Sequence, residues 1–317
     1  MTPLSIAVIG SLNVDFITRT SRIPEAGETL TATSFETGLG GKGANQAVAC
    51  ARLAASGTKV SMVGNVGDDS FGSDYITALA KEGIITSGVR KVEGQKTGIA
   101  NIIVEEANGE NRILLATGAN HASGKSHEKD WDLVPDEAGI CVFQLEIPLK
   151  VVLHNMRKAR EQGKHVIFNP APAIAIPDVA YRDIDTLIMN ETEARLLAGA
   201  PRNSNTSTQA ELSPLLRQFL SKGVRDAVII TLGGEGVLFA TQSGEQGHVD
   251  AVRTQVVDTT AAGDTFLGGY AAKLAENGGG HGEYHGMLAF ASMAASKTVA
   301  RKGAMVAIPT RHEVLIS

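Results

Sequence analysis

Short apolar runs rich in β-branched residues alternate with segments of helical periodicity along this chain, and that alternation limits its fold more than any other feature. The runs LSIAVIG, KHVIFN and RDAVIITLG have the length of strands, and segments such as GANQAVACARLAAS and PLKVVLHNMRKAREQG have the pattern of helices. Strands that are apolar throughout are typical of a parallel sheet covered by helices on both faces. We therefore predict an α/β protein with a three-layer α/β/α core around a mainly parallel central sheet.

Two stretches, residues 12–39 and 94–117, interrupt this rhythm with the pattern of antiparallel strands. The second contains Asn108-Gly109 between alternating segments, which is a strong hairpin signal. Both stretches flank the first helical units, so we predict that they form one small β-sheet, here called the lid, that projects from the core. A sheet without a covering helix layer needs a substrate or a second subunit to face. No linker separates two domains, and residues 1–317 are predicted to form a single domain with this lid.

The composition excludes several classes of partner. A formal net charge of -5 argues against a nucleic-acid-binding protein, because no basic surface would match the phosphates. No apolar run approaches the ~18 residues of a membrane span, and no secretory signal pattern begins the chain. Cys50 and Cys141 lie in apolar surroundings and suit buried thiols in a reducing compartment. We expect a cytoplasmic protein without membrane or nucleic-acid partners; in a eukaryote the nucleus is also compatible.

The stretch GLGGKG, residues 38–43, matches the G-x-G-x-x-G pattern of dinucleotide-binding folds. That pattern should follow the first buried strand, whereas here it follows the polar TATSFET, so a dinucleotide site is disfavoured. We expect instead that Gly40 and Gly41 let the backbone approach a ligand, to which Lys42 and Asn45 donate hydrogen bonds. An ordinary helix-entry loop with a solvent-facing lysine explains the same residues equally well.

Polar side chains also follow the ends of apolar runs. Asn13 and Asp15 in GSLNVD are two residues apart and share one face if the strand continues. Glu146 follows CVFQL at the corresponding place on a later strand. An amide and carboxylates together can bind neighbouring sugar hydroxyls, and ligands of open α/β sheets bind at this edge. The alternatives are an Asx turn for the first pair and a helix cap for Glu146.

Two later strand ends are compatible with a bound nucleotide. NETEA starts at Asn190, and Glu193 three residues on fits a capping box. Alternatively, both side chains lie near nucleotide phosphates and organise a hydrated Mg²⁺. In TLGGEG the residues Gly233, Gly234 and Gly236 would let a nucleotide lie against the backbone, although a plain hairpin explains these glycines too.

The segment VVDTTAAGDTFLGGY ends a short apolar run and leads into a helix. Its small residues expose consecutive backbone N–H groups at the helix start, which favours an anion there. A carboxylate would compete with a bound anion, but Asp264 has a role if it accepts a proton from a hydroxyl that attacks phosphorus. The alternative, in which Asp264 is the helix N-cap, leaves the small residues before it unexplained. No G-x-x-x-x-G-K-[ST] motif occurs, so a P-loop is excluded.

Four motifs, GGKGANQA, NPAPA, NETEA and DTTAAGDTF, occur in the order and spacing of the ribokinase-like (PfkB-type) sugar kinases, and the sequence resembles that family from residue 5 to residue 310. The motifs GSLNVD, PEAGET, TGAN and RKGA are most similar to its ribose-phosphorylating members. The resemblance implies a ribokinase-like α/β core and a homodimer formed through the lid. It also implies transfer of the ATP γ-phosphate to the 5-hydroxyl of D-ribose, with Mg²⁺ and an activating K⁺.

Carried over residue by residue, the resemblance also implies roles within the site. Asp264 would be the catalytic base, and the N–H groups of Ala261, Ala262 and Gly263 would form an anion hole for the moving phosphoryl group. The implied sugar contacts are Asn13, Asp15, Gly41, Lys42, Asn45, Glu146 and Asp264. The implied nucleotide contacts are Asn190, Thr231, Gly233, Gly236, Gly263 and Ser292, with Glu193 near Mg²⁺ through water. The monovalent cation would lie against Asp258, Thr260, Thr298, Arg301 and Gly303, largely through carbonyl oxygens.

Two positions depart from the family pattern. Ala307 stands where a serine hydroxyl commonly completes the cation shell, and Ser292 stands where Asn or His is common near adenine. The strength of K⁺ activation and the purine selectivity are therefore left open. The alternatives to a ribose kinase are a sibling kinase for another sugar or a nucleoside, and a non-catalytic sugar-binding protein on the same fold.

Overall fold

The strands form two separate sheets in the computed structural model, which describes residues 3–107, 110–123, 131–200, 209–280 and 284–316. In chain order the strands are β1 (Ile6–Ile9), β2 (Asn13–Thr20), β3 (Ser34–Gly40), β4 (Val60–Gly67), β5 (Ile85–Val92), β6 (Gly98–Glu105), β7 (Asn111–Ala116), β8 (Ile140–Phe143), β9 (His165–Phe168), β10 (Thr186–Asn190), β11 (Ala227–Thr231), β12 (Val237–Thr241) and β13 (Gln246–Val249). The α-helices are α1 (Lys42–Leu53), α2 (Ser70–Lys81), α3 (Leu149–Glu161), α4 (Glu191–Ala198), α5 (Gln209–Lys222), α6 (Ala262–Glu276), α7 (Tyr284–Val299) and α8 (Arg311–Leu315).

The core sheet has nine strands within these ranges, in the order β13-β12-β11-β10-β9-β8-β1-β4-β5. The seven strands from β11 to β5 run parallel, and β12 and β13 continue the sheet through antiparallel pairs. β1 and β8 are buried along their whole length, as expected for strands without polar alternation. The predicted α/β class with a mainly parallel central sheet is confirmed.

Helices cover both faces of the core sheet, which makes three layers. Alternate residues of β1 point to opposite faces, so Ile6 and Val8 pack with α1, α6 and α7, whereas Ala7 and Ile9 pack with α3 and α5. α6 is buried on almost every side because it lies between α1 and α7. No helix in the described ranges has the length and apolarity to cross a bilayer.

The lid is a four-stranded sheet in the order β3-β2-β6-β7, built from the two stretches that interrupt the core pattern. Each stretch forms an antiparallel pair, β2 with β3 and β6 with β7, as expected. Where the two pairs meet, however, β2 and β6 run parallel, because the chain passes through the core and re-enters the lid in the same direction. Asn108-Gly109 lies outside the described residues, and the strands on either side of it pair as a hairpin requires.

The lid is joined to the core by very short connections. Gly10, Ser11 and Leu12 alone separate β1 from β2, and Gly41 alone separates β3 from α1. Gly41 has φ 86°, and a Cβ there would lie 2.7 Å from the backbone nitrogen of Asn13, so only glycine fits this close crossing. Asn13 and the start of α1 therefore lie together where lid and core meet.

Candidate active site

Side chains from four parts of the chain meet at the carboxyl edge of the core sheet. Asn13 begins β2 just beyond β1, and Glu146 follows β8, the neighbour of β1 in the sheet. Lys42 is the first residue of α1, and Asp264 lies in the first turn of α6. Open α/β sheets bind their ligands at this edge. The predicted residues therefore lie together at a place where a ligand can bind.

The Glu146 carboxylate joins these elements. Its Oε2 accepts hydrogen bonds from Ser11 Oγ at 2.6 Å and from the backbone N–H of Lys42 at 2.9 Å. Asn13 Nδ2 lies 3.4 Å from the same oxygen, at the limit of hydrogen bonding. The following helix α3 has no side-chain cap, so the alternative of Glu146 as a helix cap is wrong.

Asn120 fixes the amide of Asn13. Its Oδ1 accepts from the N–H of Leu12 at 2.9 Å, and its Nδ2 donates to Asn13 Oδ1 at 2.7 Å. Gly98 leaves room for this pair, since a Cβ there would lie 2.2 Å from Asn120 Nδ2. The Asn13 oxygen is thus engaged, and its Nδ2 faces Glu146. Pattern reasoning did not single out Asn120, whose only signal is the TGAN motif of the family resemblance.

The strand continues through Asn13 and Asp15, which therefore share one face of β2, and the Asx-turn alternative is wrong. Asp15 is 7% exposed and packs on glycine backbone, where a Cβ on Gly40 would lie 2.1 Å from Oδ2. Burial, and after it the charge of Glu146, raises the pKa of Asp15 to about 7. Near neutral pH this carboxyl group is therefore present in both protonation states.

Asp264 does not cap α6. The N-cap is Ala261, whose φ of 60° turns the chain into the helix, and no side chain caps this end. Asp264 is the third residue of the helix and is 7% exposed. Each of its oxygens accepts one hydrogen bond from α1, from Asn45 Nδ2 at 3.2 Å and from Gln46 Nε2 at 2.9 Å. The N-cap alternative is wrong, and the carboxylate faces the start of α1.

Backbone N–H groups are available at the same helix start. The first helical bond runs from Thr265 N to the Ala261 carbonyl at 2.8 Å, and Ala262 N makes a long bond to the Thr259 carbonyl at 3.3 Å. The N–H of Gly263 precedes that first helical bond. Gly263 is exposed, and beyond its chain neighbours nothing lies within 4 Å of the place a Cβ would take. Of the three predicted anion-hole residues, Gly263 has the most open surroundings.

Lys42 lies among three carboxylates and is half-buried, unlike the solvent-facing lysine of the alternative interpretation. Burial alone lowers the pKa of its ammonium group, but the charges of Asp264, Glu146 and Glu193 together raise that pKa above its ordinary value. Lys42 is therefore a cation at neutral pH, placed between the predicted sugar contacts and the predicted Mg²⁺ side.

The residues predicted to bind nucleotide lie at neighbouring strand ends. Asn190 ends β10, Thr231 ends β11, and the two are partners in the parallel register. Asn190 and Glu193 also form the reciprocal cap of α4, with bonds of 2.8 and 2.9 Å. Gly233 begins a 3-10 turn, and Gly236, with φ 94°, closes a hairpin into β12. The cap and the hairpin are both present, so nucleotide contact by these residues stays a prediction.

The predicted Mg²⁺ side rests on Glu193. The pKa of Glu193 is raised above its ordinary value, mainly by burial and further by the charge of Asp264. The hydrogen bond from the Asn190 N–H and the charge of Lys42 act in the opposite direction. Among the described residues no group of three or more His, Cys, Asp or Glu is arranged to hold a metal ion. A Mg²⁺ that keeps waters and binds phosphate oxygens needs only one or two carboxylates, which Glu193 fits.

Ser292 is half-buried in α7, and its place near a purine stays a prediction.

Asp258 organises the loop before α6. Its Oδ1 accepts from the N–H and the hydroxyl of Thr260 at 2.9 and 2.6 Å, and its Oδ2 accepts from the N–H of Gly303 at 2.9 Å. Burial raises the pKa of Asp258, but these bonds outweigh burial and hold the pKa below its ordinary value. The N–H of Arg301 donates to the Thr298 carbonyl at 3.0 Å. The five residues predicted around a monovalent cation thus lie in two linked segments.

A cavity of about 930 Å³ opens between the lid and the core. Its walls include Asp15 and Gly38 from the lid and Asp258, Thr260 and Gly303 from the core. Of the predicted sugar contacts, Asp15 alone lines this cavity, which otherwise follows the outer lid strands and the loop before α6. Its size suits a small-molecule ligand.

One class of protein combines these parts. Phosphoryl transfer to a hydroxyl needs a group that receives the hydroxyl proton and donors that stabilise the charge on the moving phosphoryl group. A buried carboxylate and available backbone N–H groups, which are predicted to fill these two roles, lie at the start of α6 near other buried carboxylates. The class that this fold and site define is therefore that of the carbohydrate kinases.

Comparison with known proteins gives the family. Residues 3–311 match the sequence profile of the pfkB family carbohydrate kinase, and this chain belongs to that family. It is 42% identical over 315 residues to a ribokinase of Schizosaccharomyces pombe, covering 98% of this chain and 96% of that protein. It is 39% identical over 279 residues to a deoxyribokinase of Salmonella typhi, covering 87% of each. The structure of Arabidopsis thaliana ribokinase complexed with ribose and ATP is similar to this one, with a TM-score of 0.87 and a sequence identity of 33%. The match covers 100% of this chain and 98% of the other chain, and it confirms the ribokinase-like fold.

Proposed function

We propose that this protein is a ribokinase, which transfers the γ-phosphoryl group of ATP to the 5-hydroxyl of D-ribose. The observation that carries the proposal is the position of Asp264, a buried carboxylate held by two amide donors at a helix start with available N–H groups. The Schizosaccharomyces pombe ribokinase, and the Arabidopsis thaliana ribokinase bound to ribose and ATP, support this choice of substrates.

In the proposed reaction the 5-hydroxyl oxygen attacks the γ-phosphorus while Asp264 accepts the hydroxyl proton. A new oxygen–phosphorus bond forms, the bond from the γ-phosphorus to the β–γ bridging oxygen breaks, and its electron pair leaves with ADP. Asp264 then releases its proton to solvent. The N–H groups of Ala261, Ala262 and Gly263, together with the Lys42 ammonium, stabilise the charge on the transferred group.

D-Ribose is proposed to bind between the lid and the start of α1. The proposed contacts are Asn13, Asp15, Gly41, Lys42, Asn45 and Glu146. Asn45 Oδ1 is buried without a hydrogen-bond partner, and a sugar hydroxyl would supply the missing donor. The carboxylates accept from neighbouring hydroxyls, while Asn13 Nδ2 is turned to donate. This mixture of acceptors and donors suits a polyol.

ATP is proposed to lie along the ends of β10 and β11 and to reach Gly263 with its γ-phosphate. The proposed contacts are Asn190, Thr231, Gly233 and Gly236, with Ser292 near the base. The turn at Gly233 is open, with nothing beyond its chain neighbours within 4 Å of a Cβ position. A Mg²⁺ bound to the phosphates, and through water to Glu193, would neutralise part of their charge.

A K⁺ ion is proposed to bind beside the loop before α6. The proposed residues are Asp258, Thr260, Thr298, Arg301 and Gly303. Asp258 fits a cation because its low pKa keeps it ionised and its oxygens already draw Thr260 and Gly303 together. A cation there would hold the loop that leads to Gly263. Ala307 offers no hydroxyl, so we expect weaker activation than a complete oxygen shell would give.

A homodimer through the lid is also proposed. The exposed fractions of Ile113, Leu114 and Leu115 in β7 are 52%, 69% and 48%, and Phe35 in β3 is 61% exposed. Phe35 lies on the opposite edge strand of the lid from β7, so the exposed apolar run in β7 is the surface that favours burial against a second copy of the lid. Light scattering would detect the dimer.

A cytoplasmic location is proposed from the cysteines. Cys50 and Cys141 are both buried and unpaired. Burial raises the pKa of each thiol to about 12, so neither is a reactive thiolate. Two unpaired thiols without a disulfide suit a reducing compartment.

A 2-deoxy-D-ribose kinase is the second candidate, because the deoxyribokinase of Salmonella typhi is 39% identical to this chain. One experiment separates the candidates: ATP turnover with D-ribose, 2-deoxy-D-ribose, D-fructose and adenosine, with Mg²⁺ and either K⁺ or Na⁺. We expect the highest kcat/KM with D-ribose and a 5-phosphate product. Preference for 2-deoxy-D-ribose would select the second candidate, and preference for adenosine would select a nucleoside kinase. Saturable ribose binding without turnover would indicate a non-catalytic protein.

A further inference from the structure

Asp264 is connected to a chain of amide side chains that reaches across the core sheet edge. Gln144 Nε2 donates to Gln46 Oε1 at 2.6 Å, and Gln46 Nε2 donates to Asp264 Oδ1 at 2.9 Å and to Asn169 Oδ1 at 3.2 Å. Gln46 and Gln144 are fully buried. Neither glutamine is among the proposed contacts of sugar, nucleotide or cation.

The hydrogen bonds fix which way the Gln46 amide faces. Asn169 Nδ2 donates to the Ile188 carbonyl at 2.9 Å, so Asn169 turns its oxygen to Gln46. Gln46 must then present its nitrogen to Asn169 and Asp264, and its oxygen to Gln144. A reversed Gln46 amide would place its oxygen against a carboxylate and its nitrogen against the nitrogen of Gln144. The network is consistent in only one direction.

Gln144 occupies its position at a cost in stability. A Cβ on Gly10 would lie 1.8 Å from Gln144 Oε1, so the side chain fits only against bare backbone. That same oxygen is buried without a hydrogen-bond partner. An unsatisfied buried amide oxygen destabilises a fold, and an apolar side chain of similar size would avoid the penalty. Gln144 is therefore better explained by what its nitrogen does for Gln46 than by packing.

We propose that Gln46, oriented by Gln144 and Asn169, is the positioning residue for the base, an inference that rests on the proposed function of Asp264. The N–H of Gln46 holds Oδ1 in place and leaves a lone pair on the carboxylate for the sugar hydroxyl. An arginine would hold the carboxylate more strongly but would lower its affinity for a proton. A neutral amide fixes the position of the carboxylate without placing a positive charge beside it.

The test compares steady-state kinetics of Gln46→Met, Gln46→Glu and Asp264→Asn over a range of pH, with ribose and ATP varied. Gln46→Met keeps the size and removes the donor, so we expect kcat to fall about 10- to 100-fold while the ribose KM changes less than about threefold. The acidic limb of its kcat–pH profile should move to higher pH, because the carboxylate loses a donor that favours its charged form. Gln46→Glu adds a second carboxylate and should move that limb further.

Asn155→Leu is the matched control. This variant removes a buried amide of α3, which lies on the other face of the sheet. The Asn155 oxygen accepts from the N–H of Leu133 at 2.8 Å, and its nitrogen donates to the Val151 carbonyl. It should lower stability and leave the kcat–pH profile unchanged; an equal shift in this variant would overturn the proposal. If Gln46→Met does not fold, Gln144→Met frees the same amide and should shift the profile in the same direction.

The outcomes separate the two proposals. An Asp264→Asn variant with near-normal turnover overturns the proposed function itself. An inactive Asp264→Asn variant, together with a folded Gln46→Met or Gln144→Met variant whose kcat and pH profile match the wild type, overturns only the role of Gln46.

Discussion

Gly268 of α6 lies against Ala49 of α1 with no room for a side chain, since a Cβ on Gly268 would be 2.3 Å from the Ala49 Cβ. Gly268 is about one helical turn from Asp264, and Ala49 is about one turn from Asn45, so the contact lies directly beyond the hydrogen bonds that hold the carboxylate. The close approach of the two helices therefore sets the distance at which the proposed base meets its amide donors.

Gly268→Val should force α6 away from α1. We expect the free energy of unfolding to fall by about 1–3 kcal/mol and kcat to fall at least about tenfold, because the carboxylate loses its alignment. Urea unfolding and steady-state kinetics measure the two effects. Gly280→Ala is the control, because its nearest atom would be 3.4 Å away. Normal kcat in a destabilised Gly268→Val variant would contradict the link between helix spacing and catalysis.

Asp264→Asn should abolish most of the turnover. We expect kcat to fall at least about 10²-fold, because an amide cannot accept the hydroxyl proton, while the ribose KM stays within about threefold. A coupled assay of ADP release measures kcat, and circular dichroism checks the fold. Asp250→Asn, at a side chain that is 98% exposed, should keep full activity. Turnover of the Asp264→Asn variant similar to this control would rule out the carboxylate as base.

Asp15 should make stability depend on pH in the direction opposite to a salt-bridged carboxylate. Burial, and then Glu146, raises its pKa from 3.8 to about 7, so between those values the folded protein holds a proton that the unfolded chain has lost. Its contribution to the free energy of unfolding therefore falls as pH rises through that window. Asp15→Asn should be more stable than the wild type by roughly 2–4 kcal/mol above neutral pH, and the difference should shrink toward acidic pH. Urea unfolding at several pH values tests this, and a difference independent of pH would contradict it.

Asp258→Asn should weaken activation by K⁺. The variant loses the negative charge that the proposed ion would face, so we expect the ratio of kcat in K⁺ to kcat in Na⁺ to fall toward one. Ala307→Ser adds a hydroxyl at the position where a serine commonly completes the cation shell in the family, and it should raise that ratio. Rates measured across a range of K⁺ concentrations give both values. An unchanged ratio in the Asp258→Asn variant would place the activating ion elsewhere.

The core could be predicted from the sequence because one physical pattern controls it. β1 and β8 are apolar at every position, and only a sheet covered on both faces buries such strands completely. The lid was less predictable. Alternation identifies its strands, but it carries no information about direction, and the parallel junction of β2 with β6 depends on where the chain re-enters the lid.

The part of the candidate site that lies at the ends of strands could be predicted from the sequence. Asn13, Lys42 and Glu146 meet because neighbouring parallel strands end at one edge. Gln46 was missed because its partner Asp264 is 218 positions away, and a buried amide in a helix has no local signature. The sequence could not exclude Asp264 as the N-cap. The true N-cap is Ala261 in the left-handed region, a conformation that is uncommon for alanine and cannot be inferred from the sequence.

The passage from β1 into β2 through Gly10, Ser11 and Leu12 also bears on how such proteins diversify. A foreign pair of strands in place of β2 and β3 would be joined at this crossing and at Gly41, and both crossings adjoin Asn13. Recombination there would exchange the proposed sugar contacts Asn13 and Asp15 together with the outer surface of these two strands. In this architecture, the proposed sugar contacts of β2 and the surface that β2 and β3 present to other molecules would therefore be inherited as one unit.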